Sequence, residues 1–114
     1  MLLDEALLGL HLNVLGEVRM ANIAEEFRQT VKLTESQLNK AMQVTDLFEV
    51  SEKSHKLAGA AETMGVQQLA KVLKNMEIAA NEGRIVDVEC LYSSLHKTSS
   101  QTLSTLDTFL EVHT

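Results

Sequence analysis

No proline interrupts the 114 residues, and five glycines leave long stretches without a helix-breaking residue. Between the breaks the chain runs to Leu, Ala, Glu, Lys, Gln and Met, which all favour helices, so the expectation is an all-α fold. A glycine inside a helix costs about 1 kcal/mol relative to alanine, so each must end a helix or serve a purpose within one. Gly16 and Gly65 fall where apolar stripes end, and Gly83 follows the end of another. Gly59 lies inside a stripe and needs a packing or functional reason.

Asp4 can cap a short helix through Ala6, Leu7, Leu8, Leu12 and Leu15, which Gly16 ends. From Glu17, the positions Val18, Ile23, Phe27, Val31, Leu38, Ala41 and Met42 predict a long amphipathic helix. Its spacing loosens between Thr30 and Thr34, and Thr34 with Gln37 matches a capping box, so one kinked helix and two shorter helices both remain open. Asp46 with Glu49 is a firmer start, and Leu47, Val50, Ser54, Leu57, Ala58, Ala61 and Met64 then form an inward stripe up to Gly65. Val66, Leu69, Val72, Leu73, Met76 and Ala80 mark the next helix. Ile85, Val88, Leu91, Leu95, Thr98, Leu103, Leu106 and Leu110 mark the last. Short loops and long helices predict an antiparallel four-helix bundle, with the short first helix as an extra cover, in a single domain over 1–114. A chain of this length buries somewhat over about 60 % of the surface it exposes when unfolded, enough for one core. Met42, Met64 and Met76 read as core filling, and Cys90 as a small buried hydrophobe.

The net charge of −6 and the absence of a dense Lys/Arg stripe argue against a nucleic-acid partner. The apolar start, Met1 to Leu15, contains Asp4 and Glu5, lacks a basic leader and is too short to span a bilayer, so no direct membrane contact is expected. The lone Cys90 forms neither an internal disulfide nor a zinc framework, which favours a reducing compartment.

The stretch Ser54 to Gly65, S-H-K-L-A-G-A-A-E-T-M-G, carries the chemistry. His55 lies beside the inward stripe on the row Phe48, Glu52, His55, Gly59 and Glu62, and residues four apart share a helix face. Gly59 therefore leaves the imidazole open where a larger side chain would crowd it. Because His55 precedes Gly65 by ten residues, positions about ten to twelve beyond Gly65 return to its level. Asn75 and Glu77 lie there, with Lys71 and Lys74 nearby. Lys53, Lys56, Lys71 and Lys74 make a local basic zone in an acidic chain, although each alone reads as a solvated charge. Glu52-x-x-His55 has the spacing of a di-iron ligand pair, but there is no second such pair, so no metal and no cofactor are expected. His11, His96 and His113 have no companions in the pattern and read as structural or surface residues. The chain also lacks the Gly-rich signals of a nucleotide site, so ATP is not its expected donor and no autonomous kinase activity is expected.

His55, Leu57, Gly59, Ala60, Ala61 and Gly65, in this order and spacing, resemble the core pattern of the histidine-containing phosphotransfer (Hpt) domains of multistep phosphorelays. The opening L-L-D-E-A-L-L-G and H-L-N-V-L-G are further similar to the C-terminal domains of hybrid sensor kinases of the trimethylamine N-oxide sensor type. The resemblance implies that His55 accepts a phosphoryl group from a receiver-domain aspartyl phosphate and passes it to a response-regulator receiver, with Mg²⁺ on the receiver. It implies Gly59 for access, Lys56 as a basic neighbour and Glu77 as the polar partner of the imidazole. Glu62, Lys53, Lys71 and Lys74 complete the candidates for contact with the phosphoryl group or the receiver. Many members carry lysine where this chain has Ala58, which leaves open which cation screens the phosphoryl group. The implied setting is a cytoplasmic, monomeric domain, free-standing or at the cytoplasmic end of a membrane-bound sensor kinase. The alternative is an interaction bundle that docks a receiver without accepting phosphate.

Overall fold

A computed structural model describes residues 2–113, so the two terminal residues of the expected domain lie outside the described residues. Among these residues five helices form: α1 (Glu5–Leu15), α2 (Glu17–Gln43), α3 (Leu47–Met64), α4 (Gln67–Asn81) and α5 (Ile85–His113). At about 1.5 Å per residue α5 is about 44 Å long, which matches the 43 Å long dimension of the molecule. Packing of α2 on α3, α3 on α4, α4 on α5 and α5 back on α2 closes a ring of four helices. None of the described helices is long and apolar enough to cross a membrane.

The helix ends follow local chemistry. Asp4 caps α1 by accepting from the Leu7 N–H at 3.1 Å, and Asp46 caps α3 by accepting from the Glu49 N–H at 3.1 Å. Gly65 takes the left-handed conformation with φ 80° and lets the Val66 N–H reach back to the Ala61 carbonyl at 3.0 Å. The same closure ends α2, where the Asp46 N–H donates to the Ala41 carbonyl at 2.9 Å. There the left-handed residue is Thr45, with φ 52°, a β-branched residue in a conformation that costs it about 1–2 kcal/mol. No glycine marks that turn in the sequence.

The α2 seam decides between the one helix and the two shorter helices left open around Thr30 to Thr34. The helix is continuous from Glu17 to Gln43, and its buried residues Met20, Ala24, Phe27, Val31, Thr34, Leu38 and Ala41 alternate steps of four and three. Thr34, only 7 % exposed, is a seam position filled by a polar residue, and this is why the apolar spacing loosens there. Val18 stands off this seam in the first turn and is exposed. In α5 the buried positions are Val88, Leu95, Ser99, Thr102, Leu103, Leu106 and Phe109, so Ser99 and Thr102 occupy seam places that an apolar count passes over. Cys90 is exposed, contrary to the buried role read from its type: the seam at Val88 and Leu95 turns position 90 outward. Met64 and Met76 are buried, Met42 is half-buried against the core, and Met20 joins them.

α1 closes one end of the ring. The Asp4 N–H donates to the Gly65 carbonyl at 2.6 Å, the Gln67 side chain donates to the Leu3 carbonyl at 3.2 Å, and the His11 ring donates through Nε2 to the Thr63 carbonyl at 3.0 Å. Leu3, just before α1, and Leu8, within it, are buried. A fully buried Leu contributes about 1.5–3 kcal/mol, so α1 is tied to the α3–α4 turn by apolar burial as well as hydrogen bonds.

Candidate functional site

Burial of Val50, Ser54, Leu57, Ala58 and Ala61 fixes the rotation of α3 about its axis and turns His55 outward. The His55 side chain is 72 % exposed. On α4, Leu73, Met76 and Ala80 are buried in the same way, which places Glu77 at the seam with its side chain 23 % exposed. Nδ1 of His55 lies 2.9 Å from Oε2 of Glu77. A carboxylate only accepts, so the proton sits on Nδ1, and Nε2 is left as the ring atom with a free lone pair.

The two helices also meet where the Ser51 hydroxyl donates to Oδ1 of Asn81 at 2.6 Å and where the Lys74 ammonium lies 2.8 Å from Glu62. Partner numbers on α4 therefore fall as those on α3 rise. This register carries Glu77 to His55, at the level expected from the distance to Gly65. Asn75, expected at the same level, instead lines a groove of about 350 Å³ with Glu62, Lys71 and Lys74.

A Cβ added at Gly59 would meet nothing within 4 Å. The glycine is not demanded by packing of the described residues, and the space it leaves lies on the row that carries His55. Of the lysines expected near the site, Lys53 pairs with Glu49 at 3.3 Å and Lys74 with Glu62 at 2.8 Å. The Glu62 hydrogen bond and charge push the Lys74 ammonium above its ordinary pKa of 10.5, so it stays charged and engaged. Among the described residues Lys56 and Lys71 have no ion pair. The pairing of Lys74 with Glu62 was legible only through the register of α3 on α4. Phe48, about one turn before Glu52 on the same row, is 75 % exposed and adds an apolar contact surface on the face that carries the ring. Among the described residues, no three or more His, Cys, Asp or Glu side chains converge as a metal site.

The family model of the Hpt domain matches residues 21–111. The chain belongs to the Hpt domain family. Hpt domains act in two-component signalling by histidine phosphotransfer, and the match takes in all of α3 and α4, with His55, Gly59 and Glu77. The α1 helix precedes the matched residues, so the cover over the α3–α4 turn lies outside the Hpt match. No curated protein and no solved structure matches the chain. An exposed imidazole with its inner nitrogen tied to a carboxylate has an outer nitrogen available as a nucleophile, and a carboxylate in that place favours positive charge on the ring.

Proposed function

We propose that His55 is the phospho-accepting residue of a phosphorelay intermediate. Nε2 attacks the phosphorus of an aspartyl phosphate on a receiver domain, an N–P bond forms, and the P–O bond to the aspartate breaks so that its carboxylate departs. Mg²⁺ held by the receiver balances the charge on the phosphoryl oxygens. The reverse reaction hands the group to the aspartate of a second receiver. In this reading the donor is the receiver of a hybrid sensor kinase, the acceptor is that of a response regulator, and a monomeric domain meets both in the cytoplasm.

The observation that carries the reading is the His55–Glu77 contact beside the open space at Gly59. Glu77 keeps the proton on Nδ1 throughout, so Nε2 needs no general base. Lys56 and Lys71 screen the phosphoryl group in place of the lysine absent at Ala58, while Lys53 and Lys74 hold Glu49 and Glu62. The scaffold in this reading is an antiparallel four-helix bundle. The opposed numbering of cross-helix pairs supports this, on α3 and α4 as above and on α2 and α5, where Arg28 meets Asp107 and Asn39 meets Tyr92.

The test is incubation of the chain with a receiver domain phosphorylated by acetyl phosphate. Wild type acquires an acid-labile, alkali-stable phosphate that maps to His55, and His55→Gln acquires none at that position and no longer relays. A module that only docks would bind the receiver and remain unlabelled at His55. Relay undiminished in His55→Gln would refute the assignment.

A further inference from the structure

The other two helices carry a second imidazole held in the same way. His96 on α5 has a side chain 83 % exposed, and its Nδ1 lies 3.2 Å from Oε2 of Glu35 on α2, a carboxylate only 22 % exposed. The other oxygen of Glu35 accepts from the hydroxyl of Ser99, which is 2 % exposed. The carboxylate is therefore anchored from the bundle interior and presents its second oxygen to the ring. As at His55, a carboxylate partner puts the proton on Nδ1 and leaves Nε2 with its lone pair facing solvent.

The surroundings repeat the parallel. A buried residue precedes each histidine, Ser54 in one case and Leu95 in the other, and a lysine follows each, Lys56 or Lys97. The third residue on is small and buried, Ala58 or Ser99, and the fourth is Gly59 or Ser100, so neither ring has a large neighbour one turn ahead. Beside His96 is a groove of about 480 Å³ whose lining includes Lys32, Asn39 and Tyr92. The Tyr92 hydroxyl donates to Asn39 Oδ1 at 3.0 Å, and among the described residues Lys32 has no ion pair. A cation and an amide lining the groove that His96 and Glu35 also line suit a tetrahedral dianion.

We propose that His96 is a second phosphoryl-accepting histidine, positioned by Glu35 and Ser99 and supplied by donors with a labile P–N or acyl phosphate bond. With phosphoramidate, Nε2 attacks phosphorus, the N–P bond to the ring forms, the P–N bond of the donor breaks, and ammonia leaves. The ring becomes an imidazolium whose charge Glu35 offsets through the Nδ1–H.

The experiment treats the full chain carrying His55→Gln with potassium phosphoramidate and follows each phosphohistidine by ³¹P resonance and by peptide mapping. His96 labels several-fold faster than the exposed His113, which has no carboxylate partner among the described residues and stacks on Phe109. Adding Glu35→Gln, which preserves size and leaves an oxygen for Ser99, removes that advantage without altering the rate at His113. Ser99→Ala gives a smaller loss with Glu35 intact, and circular dichroism establishes that each variant is folded. Labelling of His96 no faster than His113, or an advantage that survives Glu35→Gln, overturns the proposal. Because His55 is absent throughout, the outcome is independent of its assignment.

Discussion

Gly59→Leu separates the stability of the bundle from its chemistry. A Cβ at this position meets nothing within 4 Å, so the substitution brings no packing clash at its first atom and the backbone term is left to decide. Leucine is close to alanine in helix propensity, and the glycine it replaces is worse by about 0.8–1 kcal/mol, so the variant gains about 0.8 kcal/mol. For a domain of this size, at about 2.1 cal/mol/K of unfolding entropy per residue, that gain raises Tm by roughly 3 °C. Transfer moves the other way. Side chains on a helix lean towards its N-terminus, so the introduced leucine lies over the turn that carries His55 and takes the space the incoming phosphoryl donor needs. Misplacement of reacting atoms by about 1 Å can cost a hundredfold in rate, and a loss of that order is expected. Gly59→Ala shares the stability gain and loses far less rate. Urea denaturation gives the stabilities, and rapid-quench transfer from a phosphorylated receiver gives the rates. Wild-type transfer in a stabilised Gly59→Leu protein would sink the account of the glycine as an access residue, as would a transfer loss that merely follows unfolding.

Glu77→Gln retains size but removes the charge 2.9 Å from His55 Nδ1. At that separation the attraction for an imidazolium is about 1.4 kcal/mol in a water-like dielectric, so transfer slows by about tenfold; single-turnover rates equal to wild type would show that the carboxylate has no part in the step. Thr45→Gly relieves a β-branched residue at φ 52° and adds about 1 kcal/mol to the stability measured in urea, whereas a loss would mean that the threonine side chain supports the α2–α3 turn. Ser54 is fully buried and its hydroxyl has no hydrogen-bond partner among the described residues, so Ser54→Ala gains about 1 kcal/mol by removing an unsatisfied group; a destabilised variant contradicts this.

Local chemistry determined most of what could be read without coordinates. Helix formation, caps and left-handed stops depend on residues within a turn or two of one another, so Asp4, Asp46, Gly16 and Gly65 mark their boundaries in the chain itself. The same short range makes His55 and Gly59 visible as a pair, and a count of residues across the turn at Gly65 brings Glu77 to them. Signals fail where a polar or β-branched residue fills a structural place: Thr34 and Thr102 on buried seams and Thr45 in a left-handed turn. They fail also for Cys90, whose type suggests burial but whose position on α5 faces outward.

Tertiary structure alone decided which charges pair from one helix to another. Lys71 and Lys74 lie within one turn of each other on α4, yet Lys74 reaches Glu62 on α3 and Lys71 has no ion pair among the described residues. Glu35 and His96 are separated by 61 residues and share no motif, and only the packing of α5 on α2 brings the carboxylate to the ring. Sequence by itself determined the helices, most of their ends and the exposed pair of His55 and Gly59 on one row, because those follow from contacts between near neighbours in the chain. The partners that charged side chains find on another helix depend on the rotation and register at which whole helices meet, and these are set by how many buried side chains interlock at once.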